Sequence, residues 1–370
     1  VRIARTRGKV TDRLLARRWL IVLKKMTVKR WGDKAISEIE TPQLDSTPQK
    51  SKLKSIAFRM VTWLLAAGCF YLVFTRIEAS AARDGLTTLE YLSNFFRDAD
   101  WTMWLALMIP YSLFFFLVDS HASWRAIRWF NAPAIKLTNI LPIRASAYIL
   151  SLVNEQVGKG AMSLYLLRRY DVPGWKAVST MVLLGIVEIY QLLIFSAIGV
   201  ALYFDLVQEA AVSLPLPQIM ISVFAIAFLY FPFHVAYFRG HVFKNSTIRD
   251  KPIFHALRQA ELKHYVFLLL CKAPNLIGAV IVYSLALSLF SVEVSFGQML
   301  AFLPVIFLAA ALPLPFHAGA LLLWAVLFPN FPEVGVFSMI MHTFFVVFNA
   351  VIGVVFLPLA NRELFVDRPV

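Results

Sequence analysis

Asn154-Glu155-Gln156-Val157-Gly158-Lys159-Gly160 interrupts an apolar stretch bounded by Arg144 and Arg168. The flanks, Ala145 to Val153 and Ala161 to Leu167, are each too short to cross a bilayer as a helix, which takes about 20 residues. Joined, they would cross only by leaving a charged, glycine-bearing segment at the hydrocarbon centre. A charged side chain there costs roughly 2.5–3.5 kcal/mol even on lenient insertion scales, and broken backbone needs protein or water as its partner. Lys136 and Arg144 precede the stretch, and Arg168, Arg169 and Lys176 follow it. Cytoplasmic loops carry the excess of Lys and Arg, so both ends are expected on one side. The segment therefore reads as a re-entrant hairpin that dips into the membrane and returns, the kind of element that lines a pathway.

Composition agrees with that reading. Hydrophobic residues make up 59% of the chain, mean hydropathy is +0.68, and there are 32 Phe. Several apolar runs near twenty residues long place the chain among polytopic α-helical membrane proteins, and no long period-two alternation suggests an outer-membrane barrel. Cys69 and Cys271 both fall inside apolar runs, so they read as small core residues. No metal ligand spacing and no cofactor motif is present, and no P-loop is available to power transport from ATP.

Of the net charge of +14, a surplus of ten belongs to residues 1–55. Leu15, Trp19, Val22 and Met26 fall on one helical face within it, a pattern that suits a helix on an anionic membrane surface. A basic tail that only fixes topology explains the charge equally well, and nucleic acid is not an expected partner. The division read from sequence is a basic cytoplasmic segment over 1–55, a transmembrane domain over 56–360 and a cytoplasmic tail over 361–370.

Charge and length then set the expected topology. Spans are read at about Ile56 to Thr75, Thr102 to Val118, Val178 to Phe204, Ile219 to Phe238, Tyr265 to Phe290 and Gly335 to Leu357, with both termini cytoplasmic. The segment from Lys251 to His264 reads as a short surface helix. Between the last two spans Leu312-Pro313-Leu314-Pro315-Phe316-His317-Ala318-Gly319 breaks a further apolar stretch; two prolines and a glycine prevent one continuous helix. Its flanks, Glu293 and Glu333, are acidic, so this second hairpin is expected to dip from the outer side. The fold expected is all-α, with about six full spans and two opposed re-entrant hairpins in an inverted repeat, an arrangement that places a transporter-like site near the midplane. The rival, eight full spans, would put Arg168, Arg169 and Lys176 outside.

Three pieces of Ile143 to Ile198 carry a resemblance. Ala147-Tyr148 is followed by Asn154 and a glycine-bearing break. Tyr165-Leu166-Leu167-Arg168-Arg169 is followed by Val172-Pro173 and Lys176-Ala177. Val187-Glu188 lies in the next span. Together with the break from Leu312 onward, the pattern resembles the lysylphosphatidylglycerol synthase/flippase transmembrane family of bacteria and archaea. Here Val157 or Gly158 stands where that family has a proline, and Ile189 stands where its Arg follows the glutamate. The resemblance implies a membrane domain of the bacterial or archaeal cytoplasmic (inner) membrane that moves or holds a lipid, an anionic phospholipid or a polyprenyl-phosphate carrier. It does not imply lipid aminoacylation, since no aminoacyl-transfer domain is expected after Leu357.

The candidate headgroup-binding residues are Asn154, Glu155, Gly158, Lys159, Gly160, Arg168, Glu188, Lys272 and His317. Lys159 with the Gly158 and Gly160 amides could receive a phosphate, although Glu155 and Lys159 could equally neutralise each other. Arg168 and Arg169 also suit interface anchors. Glu188, deep in the third span, must be paired or protonated, with Lys159 and Lys272 as its candidate partners. Lys272 could instead snorkel to the surface, and His317 suits a hydrogen-bonded structural role as well as a relay. His342, Asn349, Gln191 and Asn275 are weaker candidates for interhelical hydrogen bonds. No enzyme constellation is present: Asp98 and Asp100 are similar to the acidic motif of membrane glycosyltransferases but are ordinary outer-loop residues. The partners expected are membrane lipids, with a non-transporting scaffold subunit of a membrane protein complex as the alternative.

Overall fold

The computed structural model describes residues 48–153, 155–210, 215–312 and 314–365. Contacts divide the chain at Met60, and the apolar face of Leu15, Trp19, Val22 and Met26 lies outside the described residues. Among the described residues there are thirteen α-helices and no strand. In chain order they are α1 (Pro48–Arg83), α2 (Thr88–Arg97), α3 (Trp101–Phe130), α4 (Leu137–Val153), α5 (Glu155–Tyr170), α6 (Gly174–Leu202) and α7 (Phe204–Ala210). There follow α8 (Leu216–Phe238), α9 (His255–Gln259), α10 (Leu262–Ser288), α11 (Phe296–Ala310), α12 (Ala318–Leu327) and α13 (Val334–Phe365).

Six of them are long and apolar enough to cross a membrane: Met60–Arg83 of α1, then α3, α6, α8, α10 and α13 through Leu364, with mean hydropathy between 1.6 and 2.3. Local chemistry fixes several of their starts. Asp100 accepts from the Met103 amide at 2.9 Å to open α3, and Ser295 with Gln298 forms a capping box that opens α11. Both interrupted stretches fold back on themselves, α4 against α5 and α11 against α12. The eight-span alternative is therefore excluded.

The two hairpins start from opposite ends of the bundle. At one end Trp124 of α3 donates to the Ile135 carbonyl just before α4 at 2.9 Å. There too Arg169, in the last turn of α5, donates to the carbonyls of Arg362 (3.0 Å) and Glu363 at the close of α13. At the other end the Phe290 ring, beyond α10, packs on Phe95, Trp101 and Phe337 at 5.1–5.4 Å. Tyr91 donates to Glu333 there at 2.8 Å, just before α13.

Two glycine contacts express the repeat at atomic scale. A Cβ on Gly199 of α6 would collide with the Leu300 carbonyl and come within 2.8 Å of Ala301 Cα on α11. A Cβ on Gly353 of α13 would lie 2.6 Å from the Ala145 carbonyl on α4. One chain offset, 154 to 155 residues, relates Gly199 to Gly353 and Ala145 to Leu300. The first arm of each hairpin thus lies against the span that closes the other half, backbone to backbone, through a small residue. The first spans of the two halves, α3 and α10, pack on each other. There the Tyr111 and Phe114 rings fill the space over Gly278.

The structure corrects three expectations. The first break is narrower than the sequence suggests, because the backbone is helical from Glu155 onward. The second span does not stop at Val118: α3 continues through Asp119 to Phe130, burying Ser123, Ala126 and Ile127. The surface helix expected over Lys251 to His264 is a 3-10 turn at Pro252–Phe254, then α9, with α10 already under way at Leu262.

Candidate functional site

Four charged side chains from four helices meet halfway along the bundle. Asp119 of α3 and Lys272 of α10 are each 6% exposed. Arg144 comes from the first hairpin and Glu188 from the middle of α6. The Arg144 Nε lies 2.6 Å from Asp119 Oδ2. Tyr148, one turn along α4, donates its hydroxyl to the same oxygen at 3.4 Å, and its ring sits 5.1 Å under the Arg144 guanidinium. Residues four apart share a helical face, so α4 presents cation and phenol together. Lys272 Nζ bridges the remaining two groups, 3.8 Å from Asp119 Oδ1 and 3.1 Å from Glu188 Oε2.

Two cations and two carboxylates balance, which is what burial of charge requires. The four do not share one environment. Asp119 and Lys272 side chains are sealed, whereas the Glu188 side chain remains 57% exposed. Residues within one helical turn of Asp119, Glu188 and Lys272 carry unused polar capacity. Ser120 Oγ, next to Asp119, is buried with no hydrogen-bond partner among the described residues. Gln191 Nε2, one turn beyond Glu188, and Asn275 Oδ1, one turn beyond Lys272, are in the same condition. Asn275 uses its other groups: its carbonyl receives the Tyr111 hydroxyl at 3.2 Å, and its amide reaches the Phe115 carbonyl at 3.4 Å. Buried groups without partners are rare in native proteins, and a cluster of them marks room for water or ligand atoms.

The second hairpin is built differently. His317 stands at the head of α12 with φ of +51° and binds back through Nδ1 to the Ala310 carbonyl at 2.9 Å. Its ring lies 4.5 Å from that of His342 on α13. The offset that relates Gly199 to Gly353 relates Glu188 to His342, so an edge-to-face histidine pair occupies the place of an ion pair. Around it the hairpin is aromatic, with Phe302 against Phe328 at 5.6 Å and Trp324 stacked on Tyr283 at 6.0 Å.

The residues singled out from sequence therefore separate. Glu188 and Lys272 come together at 3.1 Å, and the burial of Lys272 removes its snorkelling reading. Arg168 is exposed in the last turn of α5, and Arg169 ties that turn to α13. His317 joins His342 rather than the ion pairs. Asn154 lies outside the described residues, as do the side chains of Glu155 and Lys159. The backbone there argues against a glycine nest: only the first four amides of a helix lack an intrahelical partner, so the Gly160 amide, in the sixth position of α5, is already engaged. Sequence reading missed Asp119 and Arg144, the first taken as lying past a span and the second as a basic flank of the first hairpin. The signal for Asp119 was the helical spacing of Ala122, Ala126 and Phe130 beyond it, which carries the buried face of α3 onward.

No family model, curated protein or solved structure matches this chain.

Proposed function

We propose that this integral membrane protein handles a lipid with an anionic headgroup, in the manner of a flippase, in a bacterial or archaeal cytoplasmic membrane with both termini inside. The observation that carries the reading is the mid-depth cluster of Asp119, Arg144, Lys272 and Glu188 at the meeting of two inverted halves. Ionisable groups within the hydrocarbon are costly and concentrate along substrate and ion pathways, and inverted-repeat transporters place their sites at this level. Glu188, the exposed member, would exchange its bond to Lys272 with an arriving headgroup, while Asp119 keeps the lysine neutralised during the exchange. Acyl chains would remain in the bilayer throughout. The resemblance of the sequence pattern to the lysylphosphatidylglycerol synthase/flippase family points the same way.

A second reading is supported by the charge balance itself. Two cations already matched by two carboxylates leave none over for phosphate, which suits a non-transporting scaffold whose ion pairs only hold helices together. Reconstitution distinguishes the two. Proteoliposomes carrying headgroup-labelled phosphatidylglycerol should move the label between leaflets faster than protein-free vesicles. Equal rates with and without protein would overturn transport and leave the scaffold.

A further inference from the structure

The span that belongs to neither half, α8, stands away from the bundle. Its buried residues are Leu216, Pro217 and Met220 at one end and His234 near the other, where His234 Nε2 lies 3.1 Å from the Tyr265 hydroxyl. From Ile221 to Phe233 no residue is buried. The helix is buried only toward its ends, with Phe231 reaching Tyr190 and Tyr265 between them, and a cavity of about 1020 Å³ lies between α6, α8 and α10. That exceeds the ~300–1,000 Å³ of ordinary small-molecule pockets.

Its walls are almost wholly apolar, among them Leu193, Ile194, Phe224, Phe228, Phe231 and Leu269. Polarity is confined to one mouth, formed by Arg239, His241, Glu261 and Lys263. There Lys263 is paired with Glu261 at 2.8 Å, which holds that carboxyl below its usual range. The Arg239 side chain makes no hydrogen bond or ion pair among the described residues, and with Lys263 it sets two cations against the one carboxylate of Glu261, so the mouth keeps one positive charge. Along α8 the cavity runs from Phe224 to Arg239, about 22 Å at 1.5 Å per residue. One leaflet contributes about 15 Å of hydrocarbon, half of a ~30 Å core. The cavity thus has the depth of one leaflet with its headgroup layer. Val187 and Tyr190 of its wall flank Glu188 on α6.

We infer that this groove is a lateral binding site for a glycerophospholipid with an anionic headgroup. The acyl chains lie between α8 and the α6–α10 wall, and the phosphate is held at Arg239 and Lys263. A gap of this size between apolar helices in a bilayer is filled by lipid chains, because an empty one forfeits dispersion contacts along its whole lining. The basic mouth selects the headgroup by charge, and the leaflet-length groove suits paired acyl chains rather than a long polyprenyl tail. The inference rests on the lipid-handling reading and names its substrate class: lipid resting here lies beside the mid-depth ion pairs.

The full chain in detergent, offered equal amounts of dioleoylphosphatidylglycerol and dioleoylphosphatidylcholine, should retain one phosphatidylglycerol preferentially in native mass spectrometry. The double substitution R239Q/K263Q, at an exposed mouth, should lower that retention at least tenfold, to the level of phosphatidylcholine. Ala227→Trp, which fills the groove, should lower retention of both lipids, and Ala197→Trp on the opposite wall repeats the test should the first variant not purify as a folded monomer. Equal retention of the two lipids by wild type, or unchanged phosphatidylglycerol retention in R239Q/K263Q, would overturn the inference. Phosphatidylglycerol retained but not translocated would overturn only the transport reading, whereas translocation without preferential retention would overturn only the groove.

Discussion

The two hairpins share one backbone plan and differ in chemistry. Each lays its first arm against the span that closes the opposite half, through Gly353 in one case and Gly199 in the other. The first hairpin delivers a cation, Arg144, to a buried carboxylate. The second delivers no charge, and holds its break with a histidine bound to its own Ala310 carbonyl. Repetition therefore accounts for the scaffold, while the charges mark where the halves have diverged. A symmetrical transporter would need equivalent chemistry in both hairpins. Here the polar work falls on α3, α4, α6 and α10, and the second hairpin acts as an aromatic wedge.

The comparison is exposed first at Asp119. Replacing it with leucine leaves Arg144 and half of the neutralisation of Lys272 uncompensated, a loss of about 3–5 kcal/mol for one partner of a buried pair. His317→Ala removes a single hydrogen bond and a ring contact, about 0.5–1.5 kcal/mol. Unfolding midpoints in detergent should therefore fall much further for the first variant, and equal losses would contradict the assignment of chemistry to one half. Next come the glycines. Gly199→Ala and Gly353→Ala each force a methyl against helix backbone that has no flexible side chain to yield, costing about 1–3 kcal/mol. Similar losses at both sites sharpen the repeat, and a neutral result at either one breaks it.

The smallest effect lies at the joint of the second hairpin with α13. Burial pushes the Glu333 carboxyl above its ordinary range, and burial and this neighbour together raise the Tyr91 hydroxyl. Between the ordinary carboxylate range and the raised value, the folded state holds more protons than the unfolded one at Glu333. Stability should therefore fall as pH rises through that window. Glu333→Gln should flatten the slope of midpoint against pH there, and an unchanged slope would remove Glu333 as its source.

Much of the fold was legible because bilayer physics restricts the alternatives. Length and hydropathy located all six spans, and the basic flanks of Ala145 to Leu167 against the acidic flanks of the second break gave the opposed hairpins. The site was legible in part. Glu188 and Lys272 stood out as charges deep in apolar runs, and burial forces such charges to pair. Asp119 and Arg144 were hidden because each sits at the edge of an apolar run, where a charge is ordinary. Only tertiary packing, with α3 extended by three turns and α4 folded inward, carries them into the interior. The groove beside α8 was invisible for a related reason: an apolar span reads alike whether it is packed along its length or only at its ends.

The central claim is that the ion pair of Lys272 with the exposed Glu188 in one half, and not the histidine pair His317–His342 that stands in its place in the other, handles the lipid. Translocation of headgroup-labelled phosphatidylglycerol by proteoliposomes of Glu188→Gln and His317→Gln tests it directly. Because Lys272 keeps Asp119, Glu188→Gln should lower the unfolding midpoint less than Asp119→Leu does, yet translocate at least tenfold more slowly than wild type, while His317→Gln translocates as wild type. Undiminished translocation by Glu188→Gln, or equal loss in both variants, would contradict the account.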